Sequence, residues 1–340
     1  MSLILFISGC SDIERSAEPT PTQTQTATPE ASSATPEPEQ KHVIVDIINS
    51  KCFADNLIGE EPEKRVYIYL PPSYYTDTAK TYPVIYNLHG YGDSPYFALQ
   101  KQALDKFMEE NPEKEFIIVE PYGGNSLGGS FYANSPVTGN WEDYLSGEMV
   151  EYIDSNYRTI PDKDSRGIAG FSMGGFGALY LGFRHPDVFS SILALGPGVW
   201  DENGITDTLA VWDKSIRTSY GAVFSPDMSL PSPYAAIPTL DGSEADNLIV
   251  ENWKDGFGNW PKKIEAYKAL DVKLNAVSII CGKHDSYKFI RNGSSYVSSL
   301  LTENGIDNNL VILNSGHFYP VNYVVEYVLP FFNEHLSRVK

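Results

Sequence analysis

The sequence is poor in three things, and each shortage removes a class of protein. It has no run of about 18 apolar residues, the length a helix needs to cross a bilayer. It has three cysteines, Cys10, Cys52 and Cys281, too few for a disulfide-built scaffold. Bases are scarce: 25 Lys and Arg stand against 44 Asp and Glu, a net charge of −19. So acidic a surface repels phosphate backbones, which argues against a nucleic-acid partner. Two motifs are missing as well, the phosphate loop G-x-x-x-x-G-K-[ST] and the zinc helix H-E-x-x-H. Apolar and aromatic residues are abundant. The 340 residues are 42% hydrophobic, with 22 Tyr, 16 Phe and 5 Trp, enough for one large α/β domain and its core.

The first forty residues read as an address. Leu3 to Ile7 are apolar, and Ile7-Ser8-Gly9-Cys10 resembles a bacterial lipobox. Small residues let a signal peptidase bind before the cysteine, whose thiol then takes a diacylglyceryl group. On this reading residues 1–9 are a signal segment, and Cys10 is lipidated. The protein is then exported and held at the outer face of a membrane without a spanning helix. Residues 16–40 contain only Ser, Ala, Glu, Pro, Thr and Gln, with Pro19, Pro21, Pro29, Pro36 and Pro38 among them. Nothing there offsets the entropy of ordering, so residues 10–40 read as an extended, disordered tether. Residues 41–340 are left as the folded domain. Cys281 ends an apolar run and reads as a small buried hydrophobe, with no pattern to pair it to Cys52.

Within 41–340 short apolar runs alternate with helical periodicity. Strands are predicted at Val43–Ile48, Arg65–Leu70, Val84–Leu88, Phe116–Val119, Gly167–Phe171, Ser190–Leu195, Val277–Ile280 and Leu310–Leu313. Helices are predicted at Phe97–Met108, Trp141–Tyr157, Gly174–Phe183, Tyr287–Leu301 and Val324–Leu336. This alternation predicts an α/β fold with a mostly parallel sheet covered on both faces, and functional residues at the carboxyl ends of its strands. Residues 196–259 break the rhythm. They are rich in Gly, Pro, Asp and Ser, and carry Trp200, Trp212 and Trp253. They read as an ordered, loop-rich insertion before the acid-bearing strand, forming part of a cleft wall or merely packing itself down.

Gly170-Phe171-Ser172-Met173-Gly174 matches G-x-S-x-G, between a predicted strand and a glycine-rich helix start. A serine nucleophile needs that setting: a sharp turn lifts its Oγ out of the sheet, and the helix N-terminus favours a negative oxygen nearby. A base must take its proton. His317 follows the last strand and suits that role by chain order, with His284 the second choice; His42 and His335 read as edge and surface residues. Asp285, after Val277–Ile280, is the candidate to orient the base; Asp271 and Asp307 precede strands instead. An oxyanion needs two backbone donors. The amides of Met173 and of Tyr91, in His89-Gly90-Tyr91-Gly92-Asp93, are the candidates, which leaves His89 to brace that loop.

Several further stretches carry a family likeness. They include Val66-Tyr67-Ile68-Tyr69-Leu70-Pro71-Pro72-Ser73-Tyr74, Tyr82-Pro83-Val84-Ile85-Tyr86-Asn87-Leu88-His89-Gly90, Ser130-Phe131-Tyr132, Tyr152-Ile153-Asp154-Ser155-Asn156-Tyr157-Arg158 and Gly316-His317. With the serine pentapeptide, these make the chain resemble the esterase D family of α/β-hydrolases, from about residue 44 to the C-terminal helix. That family includes feruloyl and acetyl-xylan esterases, S-formylglutathione hydrolases and mycolyltransferases. The resemblance implies an α/β-hydrolase fold and acyl transfer through an acyl-enzyme on Ser172, with no metal or organic cofactor. An exported enzyme fits esters of plant polysaccharide better than a cytosolic thioester. Two alternatives are an acyltransferase of the same family and a binding lipoprotein on a hydrolase scaffold. Nothing in the sequence bears on oligomeric state.

Overall fold

In the computed structural model of the chain, the described residues are 41–95, 97–318 and 323–338. Cys10, the signal segment and the tether lie outside them. An eight-stranded sheet organises the rest. Its strands are β1 (Val43–Asn49), β2 (Glu63–Tyr69), β3 (Val84–Leu88), β4 (Ile117–Pro121), β5 (Arg166–Phe171), β6 (Ser191–Leu195), β7 (Ala276–Gly282) and β8 (Asn309–Leu313). The spatial order is β1-β2-β4-β3-β5-β6-β7-β8. The two joints made by β2 are antiparallel, and all the others are parallel.

The helices are α1 (Phe97–Glu110), α2 (Met149–Asn156), α3 (Met173–Arg184), α4 (Gly204–Val211), α5 (Lys214–Phe224), α6 (Glu244–Phe257), α7 (Trp260–Lys268), α8 (Lys288–Glu303) and α9 (Leu329–His335). A helical turn at Trp141–Asp143 and a π turn at Tyr144–Glu148 lead into α2, and a second π turn at Val324–Val328 leads into α9. Among the described residues no helix is long and apolar enough to cross a membrane.

The central strands explain themselves. Every residue of β3, β4 and β6 is buried. Because successive side chains point to opposite faces, one strand feeds two cores. Val84, Tyr86 and Leu88 of β3 join Phe176, Leu179 and Ile153 on one face. Ile85 joins Leu104, Met108, Val328 and Phe332 on the other. This is the predicted two-faced α/β sheet in the α/β-hydrolase arrangement.

The insertion differs from its reading as loop. It folds into α4, α5 and α6, and α7 follows directly. Its turn-rich composition marks the ends of these helices: Asp213 caps α5 through Ser215 and Ile216, and Ser243 caps α6 through Asp246. A short two-stranded hairpin, Asn134–Ser135 with Gly139–Asn140, was also beyond the sequence patterns. Cys52 and Cys281 are free thiols. Burial raises the pKa of both, Cys52 to about 11, which keeps the reactive thiolate scarce.

Candidate active site

The elbow at Ser172 is built by close backbone approach. Ser172 follows β5 directly and holds φ 55° and ψ −111°, a strained conformation for a residue with a side chain. Three bonds fix it. Its N–H donates to the Leu195 carbonyl at 2.9 Å, and its own carbonyl accepts from Phe176 at 3.0 Å and Gly198 at 3.2 Å. The two flanking glycines leave no room for a side chain. A Cβ at Gly170 would run into the Gly174 carbonyl, and one at Gly174 into the Leu88 carbonyl. The pentapeptide spacing is thus a packing requirement of β3, β5 and α3 together.

Two neighbouring loops bring up the base and the acid. Beyond the parallel β7–β8 pair, Lys283 N–H donates to the Leu313 carbonyl at 2.8 Å and His284 N–H to that of Ser315 at 2.9 Å. This ladder sets Asp285 beside His317. Asp285 Oδ2 accepts from His317 Nδ1 at 2.8 Å, and Oδ1 accepts from the Tyr287 amide at 2.8 Å. A carboxylate only accepts, so Nδ1 carries the proton and the Nε2 lone pair faces Ser172 Oγ at 3.1 Å. The acid side chain is wholly buried. The ring centroid of Tyr287 lies 4.9 Å from that of the imidazole, at 81°, and that of Phe171 5.0 Å, so two aromatic rings pack against the base.

The loop after β3 completes the constellation. Gly90 packs against Ser172, with a virtual Cβ only 3.6 Å from the serine Cβ. Gly90, Tyr91, Ser172, Met173 and His317 line one cavity of about 220 Å³. Among the hydrogen bonds of the described residues, none uses the Tyr91 or Met173 amide as donor. Both are therefore available to a ligand oxygen. His89 is buried below the loop. Its Nδ1–H donates to the Gly90 carbonyl at 2.8 Å, and Nε2 accepts from the Gly123 amide at 2.8 Å. Those bonds suit the neutral ring, and burial lowers its pKa from 6.5. Tyr132 adds a bond from its hydroxyl to the His89 carbonyl at 2.8 Å.

The remaining candidates stand apart. His284 is exposed and bonded to Asn314 at 3.0 Å. Asp271 and Asp307 are exposed. His42 bonds to the Leu70 carbonyl at 2.9 Å. His335, read as a surface residue, is half-buried with its ring 4.7 Å from Phe331, because α9 leans on the sheet.

Of the insertion's tryptophans, Trp212 lines the cavity, together with Ile216 and Phe257. Trp200 and Trp253 are buried and absent from its lining. Phe131, from the family-like Ser130-Phe131-Tyr132, also lines it, as do Tyr287 and Phe289, which no motif in the sequence marked. A larger cavity, about 510 Å³, lies between α3 and α7 and holds none of the constellation. Its polar groups are largely satisfied by one another: Glu142 accepts from Arg184 at 2.6 Å, His185 at 2.8 Å and Tyr180 at 3.1 Å.

Comparison with known proteins agrees with this architecture. The family model described as "Putative esterase" matches residues 60–271. The esterase Rv1288 of Mycobacterium tuberculosis is 36% identical over 146 residues, 41% of this chain and 30% of that protein. An endo-1,4-beta-xylanase/feruloyl esterase of Xylanibacter ruminicola is 29% identical over 210 residues, 58% of this chain and 28% of that protein. The chain thus spans about three tenths of the length of these curated relatives. A solved ferulic acid esterase superposes with TM-score 0.57 at 21% identity, covering 87% of this chain and 98% of that one. An S-formylglutathione hydrolase from Agrobacterium tumefaciens gives 0.58 at 19% identity, with 87% and 95% covered. At such identities the structures share the fold. The family model covers well over half of the chain, and the chain belongs to the esterase family it describes.

Proposed function

We propose that the protein is a serine carboxylic-ester hydrolase that works through an acyl-enzyme. The observation that carries this reading is the Ser172–His317–Asp285 hydrogen-bonded chain, at 3.1 and 2.8 Å, on the floor of an aromatic cavity. Ser172 Oγ attacks the ester carbonyl while His317 Nε2 takes its proton. The amides of Tyr91 and Met173 receive the developing oxyanion. Collapse expels the alcohol, which leaves with the proton from His317. Water then repeats the cycle on the acyl-serine and releases the acid. Asp285 holds the imidazole in the required tautomer and stabilises the imidazolium.

Trp212, Ile216, Phe257 and Phe289 wall the cavity that holds Ser172. Flat rings suit a planar aromatic or a small acyl group. The curated relative named for both xylanase and feruloyl esterase activity favours esters on plant polysaccharide, with feruloyl or acetyl as the acyl group. We also propose export and lipid anchoring at Cys10. The lipobox-like Ile7-Ser8-Gly9-Cys10 and the Pro/Thr/Glu-rich stretch after it support that part.

The test is release of free acid from methyl ferulate and p-nitrophenyl acetate by residues 41–340 and by the Ser172→Ala variant. Loss of at least about 10⁴-fold in kcat/KM, with an unchanged melting temperature, is the expected result. Equal turnover by both proteins would sink the reading. Labelling of the full-length protein with a radioactive fatty acid, abolished by Cys10→Ser, tests the anchor; unlabelled protein in a lipoprotein-competent host refutes it.

A further inference from the structure

The cavity between α3 and α7 is the larger of the two described above, about 510 Å³ against about 220 Å³ at the serine. Its floor is apolar. Leu179 and Phe183 come from α3, Trp260 and Tyr267 from α7, and all four are buried. Its rim is charged. Arg184 ends α3, Lys262 and Lys263 lie in the first turn of α7, and Asp255 lies near the end of α6. The chain as a whole carries −19, yet here the balance is reversed. Arg184, Lys262 and Lys263 stand against Glu142 and Asp255, so with His185 counted as neutral the lining carries one net positive charge.

These cations are not fully spent on the two acids. Arg184 gives its Nε–H to Glu142, and among the described residues neither of its Nη groups has a hydrogen-bond partner. Lys262 Nζ reaches Asp255 only at 3.4 Å. The half-buried ammonium of Lys263 donates to the Gly258 carbonyl, just past α6, and forms no ion pair among the described residues. Burial lowers its pKa to about 7; Asp255 opposes that shift, and the charges of Lys262 and Arg184 add to it. An ammonium partly out of water, between two like charges and without an ion pair of its own, is costly until an anion joins it.

We infer that this cavity is a second binding site, separate from the serine, and that it takes a monocarboxylate with an aromatic body. The unspent donors of the rim receive the carboxylate, and the buried rings of Trp260 and Tyr267 receive the body. The charge balance sets the valence. One negative charge neutralises the lining, whereas the second charge of a dianion such as phosphate is opposed by Glu142 and Asp255. A small hydrated anion leaves the apolar floor uncovered, and a neutral aromatic leaves the cations unpaired. The inference is independent of the hydrolase reading, because no residue of the serine constellation lines this cavity.

The experiment titrates 3-phenylpropionate into the full-length wild-type protein by calorimetry, beside its neutral counterpart 3-phenylpropanamide. The acid should saturate the protein with a Kd of about 1 mM or tighter. The amide should bind at least about tenfold more weakly. Lys262→Glu reverses an exposed rim charge and leaves the floor intact, so it should weaken the acid about fivefold and leave the melting temperature unchanged. An anomalous map from crystals grown with 3-(4-bromophenyl)propionate should place the bromine between α3 and α7. Equal binding of acid and amide overturns the recognition of an anion. Displacement of the acid by an equal concentration of inorganic phosphate overturns the choice of a monocarboxylate. Bromine beside Ser172 alone assigns the acid to the serine cavity and overturns the second site, as does an unchanged affinity in folded Lys262→Glu. Failure to saturate by about 10 mM overturns the inference on wild type, whatever the variant does.

Discussion

The two sides of the cleft are held in different ways. On the strand-end side, Ser172, Asp285, His317 and Tyr91 each follow a parallel strand, β5, β7, β8 and β3 respectively. Their positions are set by backbone hydrogen bonds between adjacent loops, as in the bonds from Lys283 to Leu313 and from His284 to Ser315. On the insertion side, Trp212 and Phe257 hold one another through ring contacts. Trp212 lies 5.8 Å from Phe257, 5.9 Å from Phe289 and 5.2 Å from Tyr220, all at steep interplanar angles. Hydrogen bonds fail beyond a few tenths of an ångström, whereas apolar packing tolerates rearrangement at modest cost. The polar side is therefore suited to fix a reaction, and the aromatic side to vary what is admitted.

The sharpest way to break the comparison is Asp285→Asn. An amide can donate to Nδ1 and so present the wrong tautomer to Ser172, while keeping shape. We expect kcat to fall roughly 10³- to 10⁴-fold with little change in melting temperature. A variant that keeps a tenth of wild-type activity would remove Asp285 from the orienting role.

Next in size is His89→Ala, which takes the brace from under the loop after β3. It leaves the Gly123 amide unpaired, leaves the Gly90 carbonyl with only the Asp93 amide at 3.3 Å, and opens a cavity, at a cost of about 2–4 kcal/mol. Rates should fall about tenfold to a hundredfold as the Tyr91 amide loses its position. A pH signature accompanies the loss. Burial lowers the folded-state pKa of His89 below 6.5, so near that pH the unfolded chain takes up a proton that the folded chain refuses. Its contribution to stability is complete above pH 6.5 and declines as pH falls below it. Urea midpoints measured at pH 7.5 and 5 should drop more in wild type than in the variant; equal drops would show that His89 is not buried neutral.

The smallest effect belongs to the aromatic wall. Trp212→Phe should shift selectivity between ferulate and acetate esters about fivefold while both remain substrates, because a wall of rings repacks. Comparable loss on both, with selectivity unmoved, would show that Trp212 only packs the insertion.

Much of this was legible in the sequence, for reasons that differ residue by residue. Ser172 announced itself because the elbow forbids side chains at Gly170 and Gly174, a constraint that survives as letters at fixed spacing. The buried strands were visible as short apolar runs, since both faces of the sheet are covered. Asp285 and His317 were found through chain order after strands. The helices α4 to α6 were obscured because Gly, Pro, Asp and Ser crowd their ends.

Composition and pattern alone determined that this chain forms a mostly parallel α/β sheet, that Ser172 sits on a strand-to-helix turn, and that the chain is strongly acidic. Those properties are local, or they add up residue by residue. Only the tertiary structure decided which aromatics face the serine, since Trp212 lines the cavity while Trp200 and Trp253 do not. The sequence offered His89 as a brace of the loop after β3, and only the structure gave its partners, the Gly90 carbonyl and the Gly123 amide. Both outcomes depend on contacts between segments tens of residues apart, from β3 to the Gly123 loop and from α4 to α8. Sequence spacing carries no trace of such contacts, because the distances are set by how the elements pack and not by how many residues separate them.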